Sequence, residues 1–179
     1  MTQASDLADY VVVGAGSAGC VVANHLSADP AIRVTLLEAG NRDTSPWIHI
    51  PVGYFRTMHN PDFDWCYETE ADPGLNGRAL HWPRGKVLGG SSSLNGLLYV
   101  RGQREDYDHW AQLGNEGWAW DQVGPLFQQL ETFQRGAGEG RGTQGPLQVS
   151  DPRLRRKICE LWIEAAKANG HAYNPDYNG

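Results

Sequence analysis

Tyr10-Val11-Val12-Val13-Gly14-Ala15-Gly16-Ser17-Ala18-Gly19 is the stretch whose reading decides the fold. Its apolar, β-branched start reads as a buried parallel strand that runs straight into a G-x-G-x-x-G turn. Ala18, Val21, Val22 and Leu26 then share one face of a 3.6-residue period, so a helix follows and Asp29-Pro30 ends it. Val34-Thr35-Leu36-Leu37 is a second buried strand with Glu38 at its carboxyl end. The three elements make a Rossmann-like βαβ start of an α/β fold. Gly14 permits the tight turn, Gly16 lets the backbone approach a pyrophosphate, and Gly19 lets helix and strand pack closely. The helix N-terminus presents unpaired N–H groups to phosphate. Glu38, about twenty residues beyond the turn, suits the two hydroxyls of a ribose and repels a 2'-phosphate. FAD and NAD remain equally open at this point.

Outward from this unit, residues 41–84 form an aromatic-rich irregular excursion, broken by Pro46, Pro51, Pro61, Pro73 and Pro83. It covers a planar ligand or forms an aromatic satellite core; the pattern favours neither. The segment from Trp82 to Gly96 then holds too many small residues for a regular element. It reads as a loop offering backbone N–H groups, hydroxyls and the Asn95 amide to a second part of the same ligand. Helices are expected over Gln103 to Leu113 and over Asp121 to Glu131, the latter capped by Asp121, both as packing elements. Arg135 to Gly145 holds five glycines and reads as a flexible surface loop and a boundary. Leu147-Gln148-Val149 reads as a short strand, and Pro152 to Asn169 as a helix with a Leu154, Ile158, Leu161, Trp162, Ala165 stripe. The domains expected are thus 1–145 and 146–179.

With 179 residues, 40% hydrophobic and 20% charged, the chain has the profile of a globular protein. Fifteen Lys and Arg against 21 Asp and Glu give a net charge of -6, which disfavours a nucleic-acid partner. Met1 to Asp9 is polar and acidic with no targeting pattern, and no apolar run spans a bilayer, so a cytoplasmic protein, at most peripheral to a membrane, is expected. Cys20, Cys66 and Cys159 are scattered, and neither they nor the six histidines have metal-ligand spacing. No metal and no catalytic residue is assigned.

Gly85-Lys86-Val87-Leu88-Gly89-Gly90-Ser91-Ser92-Ser93-Leu94-Asn95, followed by Tyr99-Val100-Arg101-Gly102 and Asp106-Tyr107-Asp108, resembles the first signature of the glucose-methanol-choline (GMC) oxidoreductases. The opening motif, Glu38-Ala39-Gly40 and Gly117-Trp118-Ala119-Trp120 are similar to the choline dehydrogenase and alcohol dehydrogenase branch of that family. The resemblance implies noncovalent FAD, since members that tether it use a histidine where this chain has Leu94. It implies hydride removal from a primary or secondary alcohol, with an aldehyde or ketone as product. Ser17 and Ala18 would sit at the pyrophosphate beside Gly14, Gly16 and Gly19, and Glu38 at the adenosine ribose. Val87, Ser91, Asn95, Gly96 and Leu98 would line the isoalloxazine and ribityl chain, with Ala39 and Arg84 also at the cofactor. The family's proton-accepting histidine matches no residue here. A lyase or decarboxylase on the same scaffold, or a plain NAD-binding module, are the alternatives.

The fold so implied is a GMC-type two-domain fold, an FAD domain plus an α+β substrate domain, incomplete in this chain. Residues 1–145 would belong to the first domain and 146–179 would begin the second. A doubly wound sheet needs about five strands or more, and two good ones and a short candidate are present. The partners expected are therefore a small-molecule alcohol and the remaining carboxyl-terminal part of the same enzyme.

Overall fold

Three separate two-stranded sheets, each flanked by short helices, make up the computed structural model, which describes residues 7–178. Residues 1–6 of the polar leader and Gly179 lie outside the described residues. The contacts divide the chain into two compact units, and the division falls between Leu98 and Tyr99.

In the first unit β1 (Tyr10–Val13), α1 (Ser17–Leu26) and β2 (Val34–Leu37) form the expected βαβ unit, but the strands are not buried as their sequences suggest: Val11, Val13, Leu36 and Leu37 are exposed on this two-stranded sheet. The strands pair in parallel with Tyr10 opposite Val34 and Val13 opposite Leu37. Gly14 N–H extends the ladder to the Leu37 carbonyl at 2.7 Å. A Cβ on Gly19 would lie 1.9 Å from the Gly14 carbonyl oxygen, so the third glycine of the motif is fixed by the contact of helix and turn.

The excursion 41–84 has no long period because none of its elements exceeds four residues. It contains α2 (Pro46–His49), α3 (Tyr54–Thr57), two 3-10 turns and a hairpin of β3 (Tyr67–Glu68) with β4 (His81–Trp82). Pro46, Pro51 and Pro73 each open a turn, where proline's fixed φ and missing N–H cost nothing. The hairpin's second arm leads into Gly85–Gly90, which lies beside β2 through an Asn41–Val87 bridge.

The second unit contains α4 (Arg104–Gln112), α5 (Trp120–Leu130), β5 (Glu131–Phe133), β6 (Leu147–Val149) and α6 (Lys157–Ala168). α4 starts in a capping box between Gln103 and Asp106. α5 differs from expectation, because Ala119 is its N-cap and Asp121 lies in the first turn. The Trp120 N–H is taken instead by Asp108 of α4, at 2.9 Å. Tyr107, Trp110, Trp118, Trp120 and Phe127 pack edge-on or tilted between these two helices. Glu131, expected to end the helix, begins β5, which pairs in parallel with β6.

The glycine-rich stretch 135–145 is not a free surface loop. Gly142 and Gly145 are buried, and a Cβ on either would meet the backbone of residues 128–131 at 1.9 to 2.1 Å. α6 starts at Lys157 rather than Pro152, with Arg156 as its N-cap, and Asp151 ahead of it pairs with Arg135 through both carboxylate oxygens.

Candidate functional site

The Gly14–Gly19 turn opens onto a cleft of about 640 Å³ in the first unit. Val13, Gly14, Gly16, Leu37, Glu38 and Ala39 form one side, and Trp65, Tyr67, Arg84, Gly85, Gly90 and Ser91 the other. Gly14 holds a left-handed φ of 92°, and neither it nor Gly16 would meet any atom with an added Cβ. The backbone there is bare toward the cleft. Gly16 is the N-cap of α1 and no side chain caps the helix, so its first-turn N–H groups and positive dipole end are available to an anion.

Glu38 ties this turn to the end of β2. Its Oε2 accepts the Ala15 N–H at 2.7 Å and its Oε1 accepts the Gly40 N–H at 2.9 Å. Each oxygen keeps a lone pair, so the half-buried carboxylate can still accept bonds from ligand hydroxyls.

The second glycine-rich segment is seated directly on the first. Gly89 N–H donates to the Ala15 carbonyl at 2.8 Å, and a Cβ on Gly90 would come within 2.8 Å of Gly16 Cα. Gly89 and Gly90 hold φ of 91° and 56°, so the close approach and the left-handed turn both call for glycine. Ser91 Oγ accepts the Gly85 N–H at 3.1 Å and closes the turn.

The far wall is anchored by Asp64, which is 2% exposed. Its carboxylate accepts backbone N–H groups from Arg84 at 2.8 Å, Cys66 at 3.0 Å and His59 at 2.8 Å. Burial works against its charge, but these three donors outweigh burial and hold the carboxyl below the usual carboxylate range. Trp65 and Tyr67 lie nearly parallel, 2° apart, with centroids at 5.9 Å. Lys86 Nζ sits 4.9 Å from the Trp65 ring centroid.

Of the residues expected at a cofactor, the cleft brings together Gly14, Gly16, Glu38, Ala39, Arg84 and Ser91. Ser17, Ala18 and Gly19 form the first turn of α1 beside it. Val87 has no accessible surface in this structure and packs beneath the cleft lining rather than within it. Asn95, Gly96 and Leu98 are exposed and lie outside the cleft lining, and the Asn95 side chain is engaged by the Leu97 N–H. Asp64, Trp65 and Tyr67 went unassigned in the sequence, because a single aspartate in an aperiodic aromatic run carries no spacing signal.

The cleft fits a dinucleotide with an unphosphorylated adenosine ribose. Bare backbone at Gly14 and Gly16 and the open end of α1 suit a pyrophosphate, and the Glu38 carboxylate suits hydroxyls. A second hollow of about 740 Å³, in the second unit, is lined by groups of both signs, among them Arg101, Arg104, Asp121 and Glu139.

The family model described as GMC oxidoreductase matches residues 8–179. The chain is 47% identical to an alcohol dehydrogenase (acceptor) of Pseudomonas putida over 96% of its own length and 31% of that protein's. It is 43% identical to the mitochondrial choline dehydrogenase of Homo sapiens over 99% of its length and 31% of that protein's. Among solved structures it matches pyridoxine 4-oxidase of Mesorbium loti with a TM-score of 0.84 and 40% identity, covering 90% of this chain and 32% of that one. Formate oxidase matches with a TM-score of 0.83 and 30% identity, over 96% and 32% of the two chains. The chain thus spans about 31% of the length of the curated relatives it matches.

Proposed function

Since the chain belongs to the GMC oxidoreductase family, we propose that its first unit is the FAD cradle of an enzyme that oxidises a primary or secondary alcohol to an aldehyde or ketone. FAD supplies the hydride acceptor, its N5, when bound. The observation that carries the reading is the seating of the Gly89-Gly90 turn on the Ala15-Gly16 loop. A plain NAD module would account for the first glycine motif and leave that second one without a role.

The chain's own residues divide the work. The α1 N-terminus and the Gly14–Ala18 backbone neutralise the pyrophosphate. Glu38, already oriented by Ala15 and Gly40, accepts the ribose hydroxyls beside Ala39. Arg84 and Ser91 meet the cofactor from the opposite wall. Asn95, Gly96 and Leu98 belong on the isoalloxazine side. The substrate-binding part begins in the second unit, toward the carboxyl end of this chain. We assign the proton acceptor to the part of the relatives' length that this chain does not span. The substrate is a small alcohol, a reading supported by the alcohol and choline dehydrogenases among the relatives.

Attachment is noncovalent, because Leu94, at the position where tethering members carry histidine, is an apolar side chain only 3% exposed. The protein carrying this chain should purify yellow, and acid precipitation should leave the colour in the supernatant. Anaerobic addition of an alcohol should bleach the flavin bands. Glu38→Ala should weaken FAD binding by about 1 to 3 kcal/mol, through loss of charge-assisted hydrogen bonds. Full FAD occupancy of that variant at limiting cofactor would reject the ribose role, and a colourless protein that FAD does not stain would reject the cradle itself.

A further inference from the structure

We infer that Asp64 is a positioning residue of the cleft: it does not face the cofactor but fixes the Trp65, Tyr67 and Arg84 wall that does. The inference rests on the FAD reading above and deepens it. Cys66, between the two parallel rings, holds a left-handed φ of 53°, and His59 one of 64°. A positive φ is uncommon for a residue other than glycine; histidine adopts it more readily than most, cysteine does not. Both of their backbone N–H groups, and that of Arg84, end on the same carboxylate. The corner at Cys66 is what sets Trp65 and Tyr67 side by side, since its backbone joins them. The Arg84 bond clamps the opposite arm, where Trp65 N–H also donates to the Arg84 carbonyl at 2.9 Å. Arg84 and Cys66 N–H share Oδ1 and His59 N–H takes Oδ2, so a neutral isostere cannot replace the carboxylate: an amide that keeps one oxygen turns an N–H toward whichever donor the other oxygen served.

Because Asp64 acts through the wall, its removal should matter only where the wall is present. FAD is titrated into the apo form of the protein carrying this chain, with flavin fluorescence as readout, for wild type, Asp64→Asn, Trp65→Leu and the double variant. Wild type should bind; if it does not, the cradle reading falls, and this inference with it. With wild type bound, Asp64→Asn should raise the Kd roughly tenfold or more. The double variant should be no weaker than the weaker single variant, the non-additivity of residues that share one structure. An unchanged Kd for Asp64→Asn, or fold-changes that multiply in the double variant, would overturn the positioning role while leaving the cradle intact. Should Asp64→Asn fail to fold, Cys66→Gly beside it eases the left-handed corner. That pair binding FAD as wild type would overturn the proposal, and binding at least tenfold more weakly would support it.

Discussion

Each unit is organised around one buried carboxylate, Asp64 in the first and Glu131 in the second, and the two are satisfied in opposite ways. Asp64 is surrounded by backbone N–H groups and shapes a loop. Glu131, with no exposed surface, faces Arg101 and Arg141 together with the Gly142 N–H, and so ties side chains from distant segments. Arg141 passes the link on to Asp176: with burial opposing in both, the Asp176 carboxylate raises the Arg141 pKa and the Arg141 guanidinium lowers that of Asp176. A carboxylate bonded to backbone tolerates few changes of shape. One bonded to arginines tolerates no loss of charge, because its partners are themselves nearly inaccessible, 4% and 5% exposed.

The sharpest way to break this contrast is Glu131→Gln, which leaves Arg101 buried without a counter-charge and Arg141 with Asp176 alone. It should destabilise the protein by about 3 to 5 kcal/mol, read by thermal denaturation, with amide exchange speeding up first over 131–149. A loss under about 1 kcal/mol would mean that water enters to solvate the arginines.

Next in size is Gly19→Ala, which tests shape alone. Its Cβ would collide with the Gly14 carbonyl, so a loss of about 1 to 3 kcal/mol is expected, with weaker FAD binding as the turn shifts. The same variant should leave amide exchange in the second unit unaltered.

Acid should act on both carboxylate systems more gently. Asp64 and Asp176 both have pKa values below that of an ordinary aspartate in the folded protein, so their contributions are present above the ordinary value and fade as pH falls through the lowered folded values. Stability should therefore be flat from neutrality to about pH 4 and decline below it. A decline already complete at pH 5 would point to other groups. The smallest effect belongs to Asp151→Asn, whose exposed pair with Arg135 is screened by water and should scarcely move the melting temperature.

The first unit was the more legible one for a physical reason. Its βαβ start and glycine turn are local patterns, in which periodicity, Gly spacing and the position of Glu38 are all written within a short window. The Gly85 to Asn95 segment was recognisable through family resemblance, but its contact with Ala15 and Gly16 is a matter of tertiary packing. Val87 reads as a cofactor contact from the resemblance, and its burial is visible only once the chain is folded. In the second unit, Glu131 at the end of an apolar helical stripe reads as an ordinary solvated terminus. Only Arg101 and Arg141, arriving from distant segments at its carboxylate, make it the buried first residue of a strand. Likewise, five glycines between 135 and 145 suggest slack in a sequence, whereas Gly142 and Gly145 are there because backbone fills the space a Cβ would need.

The pairing of strands carries a consequence for how the chain acquires its shape. In all three ladders, Tyr10 with Val34, Tyr67 with Trp82 and Glu131 with Leu147, the partners lie within about two dozen residues of one another. Loop-closure entropy is correspondingly small for each and nearly equal among them, since doubling a loop adds only about 0.6 kcal/mol. No ladder has to wait for another before it can close. Strand formation within these residues can proceed in parallel during refolding, and the slower steps are then the long closures, Gly90 onto Gly16 and Asn178 onto Tyr99 and Arg101, which bring together segments already made.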